Sequence, residues 1–141
     1  MSSALNKFRF SHVIQVRYSD MDMLGHANNA VYLTYLELAR LEYFEQVNRR
    51  QRQHIGLVLA HATMDFRIPI TPGVKPVVRM RTSQLGTTSL TMENIITDAS
   101  GERVYYSATT VLVAVDTTTG RPVPIAEEEK QKMIDYEPAL A

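Results

Sequence analysis

Between Val31 and Phe44 the sequence carries apolar side chains on more than one stripe of a helix, and no single flat surface can cover them. Val31, Tyr35, Leu38 and Glu42 fall on one stripe and Tyr32, Leu36, Ala39 and Tyr43 on the next, with Leu33, Leu41 and Phe44 widening the apolar surface. A helix of about 17 residues is about 25 Å long at 1.5 Å per residue. One so apolar requires a sheet curled around it, which points to an α+β chain built on one long central helix.

The segment that feeds this helix has the opposite character. Phe8, Phe10, His12, Ile14, Val16 and Tyr18 alternate onto one face of a predicted strand, with Arg9, Ser11, Val13, Gln15, Arg17 and Ser19 on the other. The first six or so residues before it read as loose. Residues 19–28 keep neither period and form a polar loop holding Asp20, Asp22, Gly25 and His26. Asn28 or Asn29 is the expected N-cap, because a short side-chain acceptor can bond the free N–H groups of the first turn. The helix is expected to end before Gly56 in the basic run 46–56, whose arginines suit the negative end of its dipole.

The rest of the chain reads as strands. Residues 57–68 form one, stopped by Pro69, Pro72 and Gly73, and 76–83 form the next. Residues 88–97 pair through a turn at 98–101 with 103–115. That last strand is apolar on both faces near its end, so it is expected to be central and covered on both sides. Residues 126–136 are acidic and fit one or two helical turns. The order of strand, helix and four strands gives an antiparallel sheet wrapped around the helix, with self-association covering what remains.

Composition narrows the class further. A chain of 141 residues reads as one domain with a real core. It has no cysteine, hence no disulfide and no thiolate chemistry, and 15 Lys+Arg against 15 Asp+Glu give no electrostatic case for nucleic acid. No apolar run approaches the roughly 20 residues needed to span a membrane. The opening residues lack a signal-peptide core, so a cytoplasmic location is expected.

The chemistry concentrates in the loop before the helix. Asp22 can converge with the first-turn N–H groups, and a carboxylate beside such donors is the minimum for attack on a carbonyl carbon. Asp22 would be general base or nucleophile, and the N–H of Asn29 or Ala30 would polarise the carbonyl oxygen. The plainer reading is that Asp20 and Asp22 cap turns. Gly25 serves either a positive φ or the close approach of backbone to a ligand. His26 is a second base, a donor to substrate, or a histidine tied to a backbone carbonyl. Tyr32 and Tyr35 read as core or interface residues, and Glu37 and Glu42 as solvated carboxylates unless turned inward. His12, His26, His54 and His61 lack ligand spacing, so neither a metal nor a cofactor is expected.

The run Arg17-Tyr18-Ser19-Asp20-Met21-Asp22, then Gly25-His26-Ala27-Asn28-Asn29, then Tyr32-Leu33-Thr34-Tyr35-Leu36-Glu37-Leu38-Ala39-Arg40 resembles the 4-hydroxybenzoyl-CoA thioesterase-like branch of the hotdog-fold superfamily. It is similar in particular to small bacterial acyl-CoA thioesterases. Asp65-Phe66-Arg67-Ile68-Pro69-Ile70, Leu85-Gly86-Thr87-Thr88-Ser89 and Thr119-Gly120-Arg121-Pro122-Val123-Pro124 share the likeness, which covers roughly residues 8–125 of a single domain 1–141 and leaves 126–141 as a short C-terminal extension.

The resemblance implies a curved antiparallel sheet of about five strands around one long helix. It also implies homodimers, or tetramers built from them, with active sites at the dimer interface. It makes Asp22 the catalytic carboxylate and the Asn29 backbone N–H the group that polarises the thioester carbonyl. His26 stands beside them as a further catalytic candidate, and Gly25, Asn28, Tyr32 and Arg67 as candidates for binding substrate. The activity implied is hydrolysis of acyl-CoA to a free acid and CoA. Acyl-carrier-protein thioesterases share the Gly-His-Ala-Asn-Asn form, so that carrier stays open, as does a non-catalytic acyl-binding hotdog protein.

Overall fold

The computed structural model describes residues 5–47 and 53–141. The loose residues 1–4 and most of the basic helix end, 48–52, were read from sequence and lie outside the described residues. The chain runs β1 (Phe10–Val13), a 3-10 turn (Tyr18–Asp20), α1 (Val31–Gln46), β2 (Ile55–Phe66), β3 (Val77–Leu85), β4 (Ser89–Thr97), β5 (Val104–Asp116) and α2 (Glu127–Tyr136). The strands form one antiparallel sheet in the order β1-β3-β4-β5-β2. The α+β architecture expected from the apolar helix is therefore what the chain adopts.

The sheet curls because its long strands are not regular. Register shifts place an extra residue on β2 between Leu59 and His61, on β3 between Thr82 and Gln84, and on β5 at Tyr105, opposite Ile96 and Thr97 of β4. Each extra residue bends its strand and adds twist. Into the resulting trough α1 sets Tyr32, Tyr35, Leu36, Ala39 and Tyr43, all buried. Leu90, Met92 and Ile96 of β4 and Tyr106 and Leu112 of β5 meet them from the sheet. Burying each such large side chain stabilises the fold by roughly 1.5–3 kcal/mol.

Several expectations need correction. The first strand is only four residues long, and Tyr18 is 97% exposed rather than in line with Phe10 and Ile14. The 3-10 turn breaks the alternation there, because Asp20 turns inward to meet Arg17 and Tyr35. Leu5 is buried, so order reaches further toward the N-terminus than expected. β5 lies between β4 and β2, but Thr109 on its outer face is exposed and Val111 and Val113 are half-buried, so one face is not covered. The helical N-cap position is Ala30, not Asn28 or Asn29.

The C-terminal segment is more than an extension. α2 runs ten residues, with Glu127, Glu128 and Glu129 in its first turn, where negative charge suits the helix dipole. Met133 and Tyr136 join the core, and Tyr136 meets Tyr43 edge-on at 5.6 Å between ring centroids. Just beyond, Glu137 Oε2 accepts from the Tyr43 hydroxyl at 2.9 Å and from the Thr82 N–H at 2.8 Å. Burial pushes the Glu137 carboxyl above its ordinary range, against the hydrogen bonds it accepts.

Candidate active site

The loop before α1 is a small hairpin with two aspartates in different roles. Asp20 is 1% exposed and fully engaged. Its Oδ2 accepts from the Arg17 N–H and the Tyr35 hydroxyl, both at 2.9 Å, and its Oδ1 accepts from the Arg17 guanidinium at 2.9 and 3.2 Å. Burial pushes this carboxyl up, but the Arg17 and Tyr35 hydrogen bonds outweigh it and hold Asp20 below its ordinary range. Its carbonyl accepts from the Asn28 N–H at 2.8 Å, so Asp20 ties the start of the loop to its end.

Asp22 sits one turn further out and is half-buried. Its N–H donates to the His26 carbonyl at 2.7 Å, and its Oδ1 accepts from the N–H groups of Leu24 at 2.9 Å and His26 at 3.1 Å. Asp22 therefore does cap a turn, as the plainer reading had it. Its second oxygen, Oδ2, accepts no hydrogen bond among the described residues. Gly25 has φ +76° and open space where a Cβ would stand, so the turn's backbone conformation explains this glycine.

The hairpin hands over to the helix through Asn28. Its side-chain Oδ1 accepts from the Ala30 N–H and its carbonyl from the Val31 N–H, each at 2.9 Å. The Asn29 N–H between them is exposed and has no partner among the described residues. The structure thus leaves a carboxylate oxygen and a backbone donor uncommitted on one short loop. His26 spends both backbone groups on Asp22, while its ring makes no hydrogen bond among the described residues.

Behind the loop stands an aromatic cluster. Tyr32 is 3% exposed, stacks on Tyr106 at 4.8 Å and meets Phe66 edge-on at 5.2 Å. Burial pushes the Tyr32 hydroxyl up, the Ile70 backbone opposes this, and the Asp22 charge is near enough to push it further. Tyr32 thus lies within electrostatic reach of Asp22. Arg67 instead follows Phe66 onto the outer side of the sheet, where its Nε donates to Ser107 Oγ at 3.2 Å. Arg79 is buried on Thr97, and Arg81 pairs with Glu93. Glu37 and Glu42 are exposed on the outside of α1.

Phe66 and Tyr106 were not singled out from sequence as parts of the site. The signal for Phe66 was its place in the Asp65-Phe66-Arg67 run. Tyr106 looked like one more apolar residue of β5. An open depression of about 500 Å³ lies away from this cluster, by the β4–β5 turn, lined by Asp98, Glu102 and Arg103 among others. Its charges do not favour an anion. Among the described residues no group of three or more histidines and carboxylates is arranged to hold a metal, and no helix is long and apolar enough to cross a membrane.

A curled antiparallel sheet around a long helix, with this loop at the helix mouth, is the hotdog arrangement, and the chain belongs to the thioesterase-like superfamily, which matches residues 16–133. A thioesterase from Thermus thermophilus, solved with coenzyme A and zinc, is 34% identical, and the match covers 94% of this chain and 96% of that one with a TM-score of 0.81. The YsmA protein of Bacillus subtilis is 30% identical over 90% of this chain and 86% of its own length. The chloroplast acyl-acyl carrier protein thioesterase ATL3 of Arabidopsis thaliana is 27% identical over 87% of this chain and 66% of its own length.

Proposed function

We propose that the chain hydrolyses acyl-CoA thioesters, with Asp22 as its catalytic carboxylate and the Asn29 N–H as the donor to the carbonyl oxygen. The observation that carries this reading is the pair of uncommitted groups at the helix mouth, Asp22 Oδ2 and the Asn29 N–H. Oδ1 is held by the Leu24 and His26 N–H groups, which fixes the carboxylate while Oδ2 faces a reactant. As general base, Oδ2 takes a proton from water as the water oxygen bonds to the thioester carbon. The carbonyl oxygen gains negative charge and is stabilised by the Asn29 N–H at the positive end of α1. Collapse breaks the C–S bond, and the thiolate takes the proton back.

Attack by Oδ2 itself would instead give an anhydride that water then opens. After one turnover in ¹⁸O-labelled water, label in Asp22 marks direct attack with the anhydride opened at the Asp22 carbon, whereas the general-base route puts all the label in the released acid. The superfamily supports thioester hydrolysis in general. The likeness to a thioesterase solved with coenzyme A favours that carrier over acyl-carrier protein, and matched rates on the two carriers test the choice. Release of free thiol from a chain-length panel of acyl-CoA esters tests the activity itself. Binding without thiol release from any ester would leave a non-catalytic acyl-binding protein.

The same reading pairs two copies through β2. This edge strand runs twelve residues, its outer side is unpaired among the described residues, and Val58, Leu59 and Phe66 are 40–46% exposed along it. Leu38 and Leu41 leave an apolar face on α1 as well. A long apolar edge seeks a second edge. Pairing there would bring Phe66, and with it the site, to the interface of a homodimer, from which a tetramer can be built.

A further inference from the structure

Tyr106 stands on the inner face of β5, in register with Phe66 of β2 and Ile96 of β4, and is wholly buried. Its ring stacks on Tyr32 with 29° between the planes, and Phe66 leans on it at 5.3 Å between centroids. Among the described residues its hydroxyl has no hydrogen-bond partner. A buried hydroxyl left unpaired by the protein costs stability that phenylalanine at the same position would not. Asn94 Oδ1 is unpaired too, but that side chain is held through Nδ2 by the Ala108 carbonyl and the Thr110 hydroxyl. Tyr106 has no such compensation.

The orphan hydroxyl also has a place. Tyr32 is the second residue of α1, just past Asn29, and its ring lies flat against that of Tyr106. The Tyr32 hydroxyl feels the Asp22 charge, and the Tyr106 hydroxyl, pushed up to about 12 by burial, feels Tyr32 in turn. Phe66 covers both rings from the edge strand and is itself 46% exposed, so a ligand that displaces Phe66 reaches Tyr106.

We propose, resting on the thioesterase reading above, that Tyr106 is a specificity-determining residue whose hydroxyl hydrogen-bonds a hydroxyl carried by the acyl group. The site then selects thioesters of hydroxylated acids over plain alkyl ones. A phenol can donate or accept, so a substrate hydroxyl satisfies it in either sense. An alkyl chain filling the same space leaves it unpaired, and sites built around a polar partner reject analogues that lack one. The Tyr32 and Phe66 rings supply apolar contact to either kind of chain.

The test compares hexanoyl-CoA, 3-hydroxyhexanoyl-CoA and 6-hydroxyhexanoyl-CoA on the wild-type chain and on Tyr106→Phe. The wild type should favour one hydroxylated ester by about tenfold in kcat/KM, and Tyr106→Phe should bring that ratio close to unity. No preference in the wild type overturns the proposal, and so does a preference that survives Tyr106→Phe. A raised Tm with an unaltered ratio would mark the hydroxyl as merely unpaired, or satisfied by a buried water, and also overturns it. If the wild type releases thiol neither from these three esters nor from the chain-length panel, the thioesterase reading fails by itself. Thermal shifts by the same esters then decide on Tyr106: a larger shift with a hydroxylated ester, lost in Tyr106→Phe, supports it, and equal shifts overturn it.

Discussion

The Tyr35 hydroxyl donates to Asp20 Oδ2 at 2.9 Å, which commits the buried carboxylate of the loop to the helix. Asp22, two residues on, keeps an open oxygen. The two acids should therefore separate cleanly on substitution. Asp20→Ala leaves the buried Tyr35 hydroxyl without its acceptor and returns the exposed Arg17 guanidinium to water, and leaving a buried donor unpaired costs about 1–3 kcal/mol. Urea denaturation should show that loss. A change under about 0.5 kcal/mol, the size of an ordinary surface substitution, would contradict the structural role.

Asp20 also sets a pH dependence. Its folded-state pKa lies below the ordinary 3.8, so its contribution is present above that value and is lost as pH falls through the folded pKa. Tm should fall on acidification below about pH 4, and Asp20→Asn should flatten that limb.

Glu137 works in the opposite sense. Its folded-state pKa is raised above 4.5 by burial, so its contribution is full below 4.5 and is lost as pH rises through the folded value. Glu137→Gln keeps an oxygen for Tyr43 and Thr82 and cannot ionise. Relative to that variant, the wild type should lose Tm as pH rises above 4.5 and through the raised folded-state value. Parallel profiles would contradict the assignment.

Gly25→Ala should destabilise by about 1–2 kcal/mol through backbone strain alone, because φ is +76° and nothing lies within 4 Å of the new Cβ. Gly25→Asn should cost less, since asparagine tolerates this conformation better. Chemical denaturation of the pair measures the difference.

If β2 edges join two copies, a charge on that edge should part them. Val58→Lys with Leu59→Lys should shift the wild-type dimer or tetramer toward monomer in light scattering at matched concentration. An unchanged mass would place the contact elsewhere.

Much of this fold was legible because its signals are local. The helix declares itself in the spacing of Tyr32, Leu36, Ala39 and Tyr43, and β4 and β5 in their alternation and intervening turn. Where the reading failed, a distant partner decided. Tyr18 continues the alternation of Phe10 and Ile14 in sequence, yet the bond between Asp20 and Tyr35 turns it out to solvent. Residues 126–141 looked peripheral because nothing in them announces that Glu137 will meet Tyr43 and Thr82. Asp22 was visible as a candidate from its place before the helix. The Tyr106 cluster was not, since residues 32, 66 and 106 meet only through strand register and helix placement.

The central claim is that Asp22 supplies the chemistry while its Oδ1 only holds the loop. Asp22→Asn separates these roles, because the amide oxygen can still accept from Leu24 and His26. Free-thiol release from the best acyl-CoA substrate of the panel should fall by about 10²-fold or more in kcat, with Tm close to that of the wild type. Full turnover by a folded Asp22→Asn protein would contradict the claim.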